Sequence, residues 1–322
     1  MNRSNIMVSV IVLTYNHACY ISQCLNSILM QTTNFSYEIL IGDDASNDGT
    51  SLIVKKYILN YPDKIRGYIR PKNIGATSNL YDLQTLAQGT YLAYLEGDDY
   101  WCDEYKLQKQ IDFLLAHPQY IGCTHQCNVI NHLGQAYKHQ NLSWISKKRI
   151  YTLKDFHGIV LPGHMSTLMH FNLFYNSKET YRELITLHPI IGDRSLCLLL
   201  ASQGPLYQLS EAMSSYRYSR TPQGNNATAI VYIRNPNRTQ EEYFYTKKLE
   251  AYARQTWNVD DIFSSHKKSL FVSAVWEMLR CPTSKNIKLV FTILHDEHTA
   301  NYLFTFPIEV LRKLIKKLKL RS

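Results

Sequence analysis

No Cys-x-x-Cys pair occurs among the seven cysteines, Cys19, Cys24, Cys102, Cys123, Cys127, Cys197 and Cys281. An odd number of scattered thiols excludes a disulfide scaffold and favours a reducing compartment. Cys123, His125 and Cys127 resemble half of a zinc site, but no second pair follows at finger spacing, so they read as buried strand residues. No run approaches the ~20 apolar residues of a membrane span. The first apolar stretch, 7–14, is too short and too soon interrupted for a signal peptide. These absences predict a cytoplasmic protein. Neither Gly-x-Gly-x-x-Gly nor Gly-x-x-x-x-Gly-Lys-Ser/Thr is present, so no glycine loop cradles a phosphate. Internal repeats, low-complexity segments and basic stretches set with aromatics are also missing, and nucleic acid is not an expected partner.

What is present is a globular composition, 45% hydrophobic over 322 residues with a net charge of +9. At ~150 residues per domain the length suggests two parts. We place the boundary at 225/226, with a catalytic domain over 1–225 and a helical extension over 226–322. The positive excess points to an acidic partner, and its position helps to choose one. In the segment 307–322, Ile308, Leu311, Leu314, Ile315 and Leu318 share one helical face while Arg312, Lys313, Lys316, Lys317 and Lys319 share the other. That pattern fits a helix lying on an anionic membrane surface, and therefore peripheral attachment at the inner face of the cell membrane. The competing reading is a terminal helix packed on the core with a solvated charged face.

Along the chain, 7–14 is a continuous apolar run of central-strand character, followed by helical spacing of Ile21, Leu25, Ile28 and Leu29. Strands are expected at 37–41, 64–69 and 90–95, and helices at 51–60 and 77–88. Repeated β-α units imply an α/β fold with a parallel sheet. Further on, a helix is expected over 104–116, strand-like sequence over 120–130, a helix over 196–201, and helices over 239–256, 261–279 and 285–303.

The strand at 90–95 runs into Glu96, Asp98 and Asp99, with Gly97 as the spacer. Ligands of open α/β sheets bind beyond the carboxyl ends of the strands. Carboxylates this close repel one another unless a cation neutralises them, so we expect a divalent metal holding a phosphorylated substrate. A polar turn is the alternative. Asp43 and Asp44 form a second acidic turn, expected at the same end of an adjacent strand. They can accept from a pyrimidine N–H or ribose hydroxyls, or cap the next helix. Thr14 and Tyr15 are placed to line the same base pocket.

Val8 to Asn16, Gly42 to Thr50, Asn73-Ile74-Gly75 and Tyr94-Leu95-Glu96-Gly97-Asp98-Asp99-Tyr100-Trp101 resemble, in order, the signatures of family-2 inverting glycosyltransferases of the GT-A fold, of the bacterial polysaccharide-biosynthesis type. The resemblance is close over 7–101 and looser to about residue 217. It implies a mostly parallel, Rossmann-like sheet flanked by helices and transfer of a sugar from a nucleotide-sugar donor, with Mn2+ or Mg2+. A UDP- or dTDP-sugar is the favoured donor, and a saccharide, lipid-linked on the strength of the basic tail, the acceptor. On that resemblance Thr14, Tyr15, Asp43, Asp44, Arg70, Asn73 and Gly75 would serve the nucleotide. Asp98, helped by Glu96 or Asp99, would carry the metal, with Glu96 standing where many members have Asp. Trp101 and His164 would border the acceptor.

Gly192-Asp193, just ahead of an apolar helix, resembles the motif that supplies the general base, and Asp193 suits helix capping as well. Tyr216-Arg217-Tyr218-Ser219 resembles a Tyr-Arg-x-His element with Ser219 in the histidine position, which leaves Arg217 or Arg220 to pair with phosphate oxygens. The segment 221–226 reads as a lid or a linker. The missing histidine is also the best support for a rival, a non-catalytic nucleotide-sugar-binding subunit of the same fold. A sugar-phosphate nucleotidyltransferase, the other rival, should carry a glycine- and basic-rich loop after its first strand, which Tyr15-Asn16-His17-Ala18 is not.

Overall fold

The computed structural model describes residues 6–137, 142–175, 179–218, 231, 234–259 and 261–296. The chain divides into two compact units, Met1–Arg234 and Asn235–Ser322. The segments 221–226 and 307–322, with Ser219 and Arg220, lie outside the described residues.

The first unit opens with β1 (Ile6–Thr14), α1 (Ile21–Leu29), β2 (Ser36–Asp43), α2 (Thr50–Asn60), β3 (Ile65–Ile69), α3 (Ala76–Leu86) and β4 (Tyr91–Glu96). The strands lie in the order β3-β2-β1-β4 and are all parallel. Val8, Val10, Ile11 and Val12 are fully buried, as a strand covered on both faces requires. Ile21, Cys24, Leu25 and Ile28 of α1 pack into the same core.

One sequence expectation is corrected here. The two acidic turns do end at the same edge of the sheet, but their strands are not adjacent. β1 runs between them, with Thr14 opposite Asp43 and Leu13 opposite Glu96. Two inter-strand steps of about 4.8 Å therefore separate the turns, enough to stop them acting as one carboxylate cluster.

The chain continues with β5 (Tyr100–Trp101), α4 (Lys106–Ala116), β6 (Gly122–Ile130), β7 (Ile150–Tyr151), β8 (Met169–Phe171), α5 (Arg182–Ile185), α6 (Asp193–Gln203) and β9 (Leu206–Arg217). β8 inserts between β4 and β6, antiparallel to both. β9 runs parallel to β6 and antiparallel to β5 and β7. The result is a mostly parallel sheet extended by a mixed half, flanked by helices. The pairing of β5 with β9 sets Tyr100 against Ser215 and Trp101 against Ser214, which brings the acidic turn after β4 beside the end of β9.

The second unit holds α7 (Arg238–Trp257), α8 (Ser264–Arg280) and α9 (Ser284–Asp296). Tyr243, Leu270, Phe271, Leu289 and Ile293 form its core. Its buried charges are paired: Lys267 Nζ donates to both oxygens of Glu250 at 2.7 and 3.0 Å. Among the described residues no helix is long and apolar enough to cross a membrane.

Candidate active site

Four elements converge at the carboxyl ends of β1 and β4. The turn after β4 must come close to the end of β1, and Gly97 permits it: a Cβ there would lie 2.6 Å from Thr14 Oγ1 and 2.8 Å from His17 Nδ1. Asp98 and Asp99 are thereby folded inward, both buried. Arg217, from the end of β9, clamps the turn. Its backbone N–H donates to Asp99 Oδ1 at 2.7 Å and its Nε to the Asp98 carbonyl at 2.8 Å. Its remaining guanidinium groups donate to the carbonyls of Asn131 and His132 and to Gln23 Oε1, and the ion stacks over Tyr20 at 4.2 Å. A guanidinium so engaged positions the acidic turn and has little left to offer a phosphate.

Asp99 Oδ2 is buried and accepts no hydrogen bond among the described residues. It lies 3.7 Å from His164 Nδ1. Glu96, Asp99 and His164 each place one ligand atom within 4.8 Å of the others. Burial, then the charges of Asp98 and Asp193, push the Glu96 carboxyl up to about 8. Burial and the Asp98 and Glu96 charges push Asp99 well above the usual carboxylate range. Burial holds His164 down at about 3, so its imidazole is neutral, the form that ligates a metal. Two crowded carboxyls, an orphan buried oxygen and a neutral imidazole fit a divalent cation well. Asp98 stands beside this trio, with its carboxylate 4.0 Å from His17 Nε2.

The first acidic turn is built differently. Asp43 accepts from the backbone N–H and hydroxyl of Ser46 and from the Ser51 hydroxyl. Asp44 accepts from the N–H groups of Ile74 at 2.7 Å and Gly75 at 3.0 Å. Asn73 Oδ1 supports the same loop by accepting from Gly75 N at 3.1 Å. Gly75 has φ +88° and a Cβ there would meet the Pro189 carbonyl at 2.9 Å, so the position favours glycine twice over. Arg70 closes β3 and reaches Asn79 and Asp82. Thr14 is buried and Tyr15 is exposed at the tip of β1.

A cavity of about 290 Å³ opens beside the second turn, with Glu96, His164 and Asp193 on its lining. Asp193 is the first residue of α6 rather than its cap, which is Gly192, and its Oδ1 accepts from the Arg194 N–H at 2.8 Å. The charge of Asp193 contributes to the raised Glu96 carboxyl, so the two are electrostatically coupled across the cavity. Trp101 does not reach this space: its indole is buried, donates to the Ser166 carbonyl at 3.0 Å and carries the Lys106 ammonium 3.9 Å from its ring. Trp144, which no motif marks, lines the cavity too, as do Tyr216 and Tyr218 of the Tyr-Arg-x-His-like element, to which the sequence assigns no role. Trp144 sits in an aperiodic loop, where a lone tryptophan among polar residues was the available signal.

The match to the model "Glycosyl transferase family 2" covers residues 9–176, more than half of the 322-residue chain. This chain belongs to that family, and its fold is GT-A. The uncharacterized protein Rv1520 of Mycobacterium tuberculosis is 42% identical over 123 residues, 38% of this chain and 36% of that one. A Bacillus subtilis glycosyltransferase, TuaG, whose name assigns it to teichuronic acid biosynthesis, is 36% identical over 109 residues, 34% of this chain and 42% of that one. The match thus spans well under half the length of these curated relatives. Among solved structures, S. aureus TarS 1–349 in complex with UDP-GlcNAc superposes with a TM-score of 0.60 at 16% identity, covering 90% of this chain and 80% of that one.

Proposed function

We propose that this chain is an inverting glycosyltransferase that moves a sugar from a UDP- or dTDP-sugar to a hydroxyl of a saccharide acceptor. The observation that carries the reading is one cavity lined by a carboxylate on a helix start, Asp193, and by Glu96 and His164, two members of the Glu96, Asp99 and His164 trio. Asp193 is the group we assign as general base. It takes the proton of the acceptor hydroxyl as the oxygen attacks the anomeric carbon from the face opposite the leaving diphosphate. Glu96, Asp99 and His164, with Asp98 beside them, are the residues that would hold Mn2+ or Mg2+. Such a cation, when bound, offsets the charge that builds on the diphosphate. Thr14, Tyr15 and the loop braced by Asp44 form the nucleoside side, and Arg217 keeps the acidic turn in place.

The relative named for teichuronic acid biosynthesis supports a role in cell-surface polysaccharide synthesis. A lipid-linked acceptor, with peripheral attachment through 307–322, is the form of that role the basic tail favours. The test is calorimetric binding of UDP, dTDP and GDP with and without Mn2+, on the wild type and on Asp98→Ala and Glu96→Gln. A single nucleotide bound only with metal, and lost in the variants, is the expected result. Absence of nucleotide binding under every condition overturns the reading.

A further inference from the structure

The lining of the cavity has two characters. Asp193 and Glu96 bring carboxyl groups, while Trp144, Ile159, Leu161 and Tyr216 contribute an apolar and aromatic surface. This surface is rigidly built. The loop that carries Trp144 is tied to Leu161 by two backbone bonds, Leu161 N–H to the Trp144 carbonyl at 2.9 Å and Ser146 N–H to the Leu161 carbonyl at 2.8 Å. The Trp144 ring meets Tyr216 edge-on at 6.4 Å and lies 6.0 Å from the His164 ring. The His164 and Tyr216 rings are themselves in contact, with centroids 3.9 Å apart and planes tilted by 30°. An isolated tryptophan in a loop would swing, whereas this one is held in a ring cluster whose other members come from β9 and the 164–167 turn.

A pyranose is two-faced in the same way, with C–H groups on one face and hydroxyls around its rim. Aromatic faces carry negative quadrupole charge and attract polarised C–H groups, and carboxylates accept hydroxyls. Mostly apolar cavities with a few convergent polar groups are the common form of small-molecule sites. Position decides which sugar this is. On the proposed function the base must touch the acceptor hydroxyl, and Asp193 shares the cavity with Trp144, whereas the nucleoside residues lie at the ends of β1 and β2. Charge narrows the class. Arg194 is the one lysine or arginine on the described lining, and it is 3% exposed, while the Asp193 carboxylate is on the same lining. A uronic acid here would meet like charge.

We propose that the Trp144–Tyr216 wall is the acceptor platform, selecting a neutral pyranose that lays its C–H face on the indole and turns a hydroxyl toward Asp193. This inference rests on the transferase reading for the word acceptor, and the test separates the two. Saturation-transfer NMR is run with methyl β-glycosides of glucose, galactose, N-acetylglucosamine and glucuronic acid, each up to about 10 mM, the range that weak non-covalent contacts give. UDP and Mg2+ are present throughout. The proteins are the wild type, Trp144→Ala and Trp144→Phe, with thermal melts to confirm folding and calorimetry of UDP alongside.

At least one neutral glycoside should receive saturation at its ring C–H protons, and the glucuronide should not. Trp144→Ala should weaken that binding about tenfold, as loss of an aromatic anchor does, and Trp144→Phe should restore most of it. UDP affinity should stay unchanged in both variants. Equal binding to wild type and Trp144→Ala, preference for the glucuronide, or UDP binding with no glycoside bound each overturn the platform while leaving the transferase reading intact. A wild type that binds neutral glycosides through Trp144 but no nucleotide supports the platform and removes the transferase reading. Failure to bind either removes both.

Discussion

The two acidic turns flank the same strand, β1, and end up in opposite states. At Asp43 and Asp44 the protein supplies the partners itself, from Ser46, Ser51, Ile74 and Gly75. At Glu96 and Asp99 it leaves a buried oxygen unpaired and the carboxyls pushed upward. The first turn is therefore a brace that fixes the 73–75 loop, and the second is a site that needs something from outside. Equal sequence character, two carboxylates after an apolar strand, conceals this difference. It depends on which hydroxyls and N–H groups the following loop brings back.

The sharpest way to separate base from brace is Asp193→Asn. General acid–base groups contribute about 10² to 10⁴ in rate, so turnover of an accepted nucleotide-sugar should fall by about that factor. UDP binding should remain, since Asp193 is not among the residues assigned to the nucleoside. Retained turnover breaks the assignment of Asp193 as base.

The turns themselves should respond in opposite ways to neutralisation. Asp43→Asn and Asp44→Asn each remove charge-assisted bonds worth about 1.5 to 3 kcal/mol, and should lower the melting temperature with or without metal. Glu96→Gln and Asp99→Asn relieve repulsion in the apo protein, so they should leave its melting temperature unchanged or raise it. Their loss appears in Mn2+ affinity, by at least about tenfold, the scale seen even for groups that only support metal ligands. A melting temperature that falls equally in all four variants would erase the distinction.

Much of this was legible early. The run 7–14 reads as β1 because burial on both faces demands continuous apolar residues, whereas Asp193 is singled out as base by the resemblance of Gly192-Asp193 to a family motif, the local pattern by itself suiting a helix cap equally. The lateral order was not legible, because β8 (Met169–Phe171) is three residues long and its place beside β4 is set by distant pairing. For the same reason the turns were expected on adjacent strands. Arg217 resembled a phosphate ligand in sequence, yet its guanidinium is engaged by carbonyls of Asn131 and His132 that no spacing rule foretells. His164 reads in sequence as an acceptor-side residue, and its closeness to Asp99 is equally a product of tertiary packing.

Titration offers a milder probe of the unsatisfied turn. The Glu96 carboxyl is raised from 4.5 to about 8 by burial and by the Asp98 and Asp193 charges. The folded apo protein thus keeps a proton that the unfolded chain releases. Its stability is fully present below pH 4.5 as far as this group is concerned, and declines as pH rises through about 8. Denaturant melts across that window should show the decline in apo protein and its removal by saturating Mn2+, which binds the ionised form. A Glu96→Gln variant whose stability follows pH just as the wild type's does would place Glu96 outside the stressed cluster.

The smallest expected effect carries the contrast to positive charge. Lys267 is buried against both oxygens of Glu250, whereas Lys106 is fully buried with no hydrogen-bond partner for Nζ among the described residues. Burial lowers Lys106 to about 7, and the Trp101 ring 3.9 Å away is its compensation. Because the folded value lies below the ordinary lysine range, the unfolded chain binds the extra proton between about 7 and 10.5, and stability should rise with pH there. Lys106→Met keeps the stem volume and sets a sulfur against the indole. It should flatten that rise and stabilise the protein by about 1 kcal/mol at pH 7, within the range found when unpaired buried polar groups are replaced by apolar ones of similar shape. Lys267→Met should have the opposite sign, since it removes the closer partner of the buried Glu250 carboxylate and leaves only Arg254 at 4.0 Å among the described residues. If both lysine variants destabilise alike, then Lys106 has a partner that its surroundings do not reveal, and the rule separating braced from unbraced charge fails in the core where it is simplest to apply.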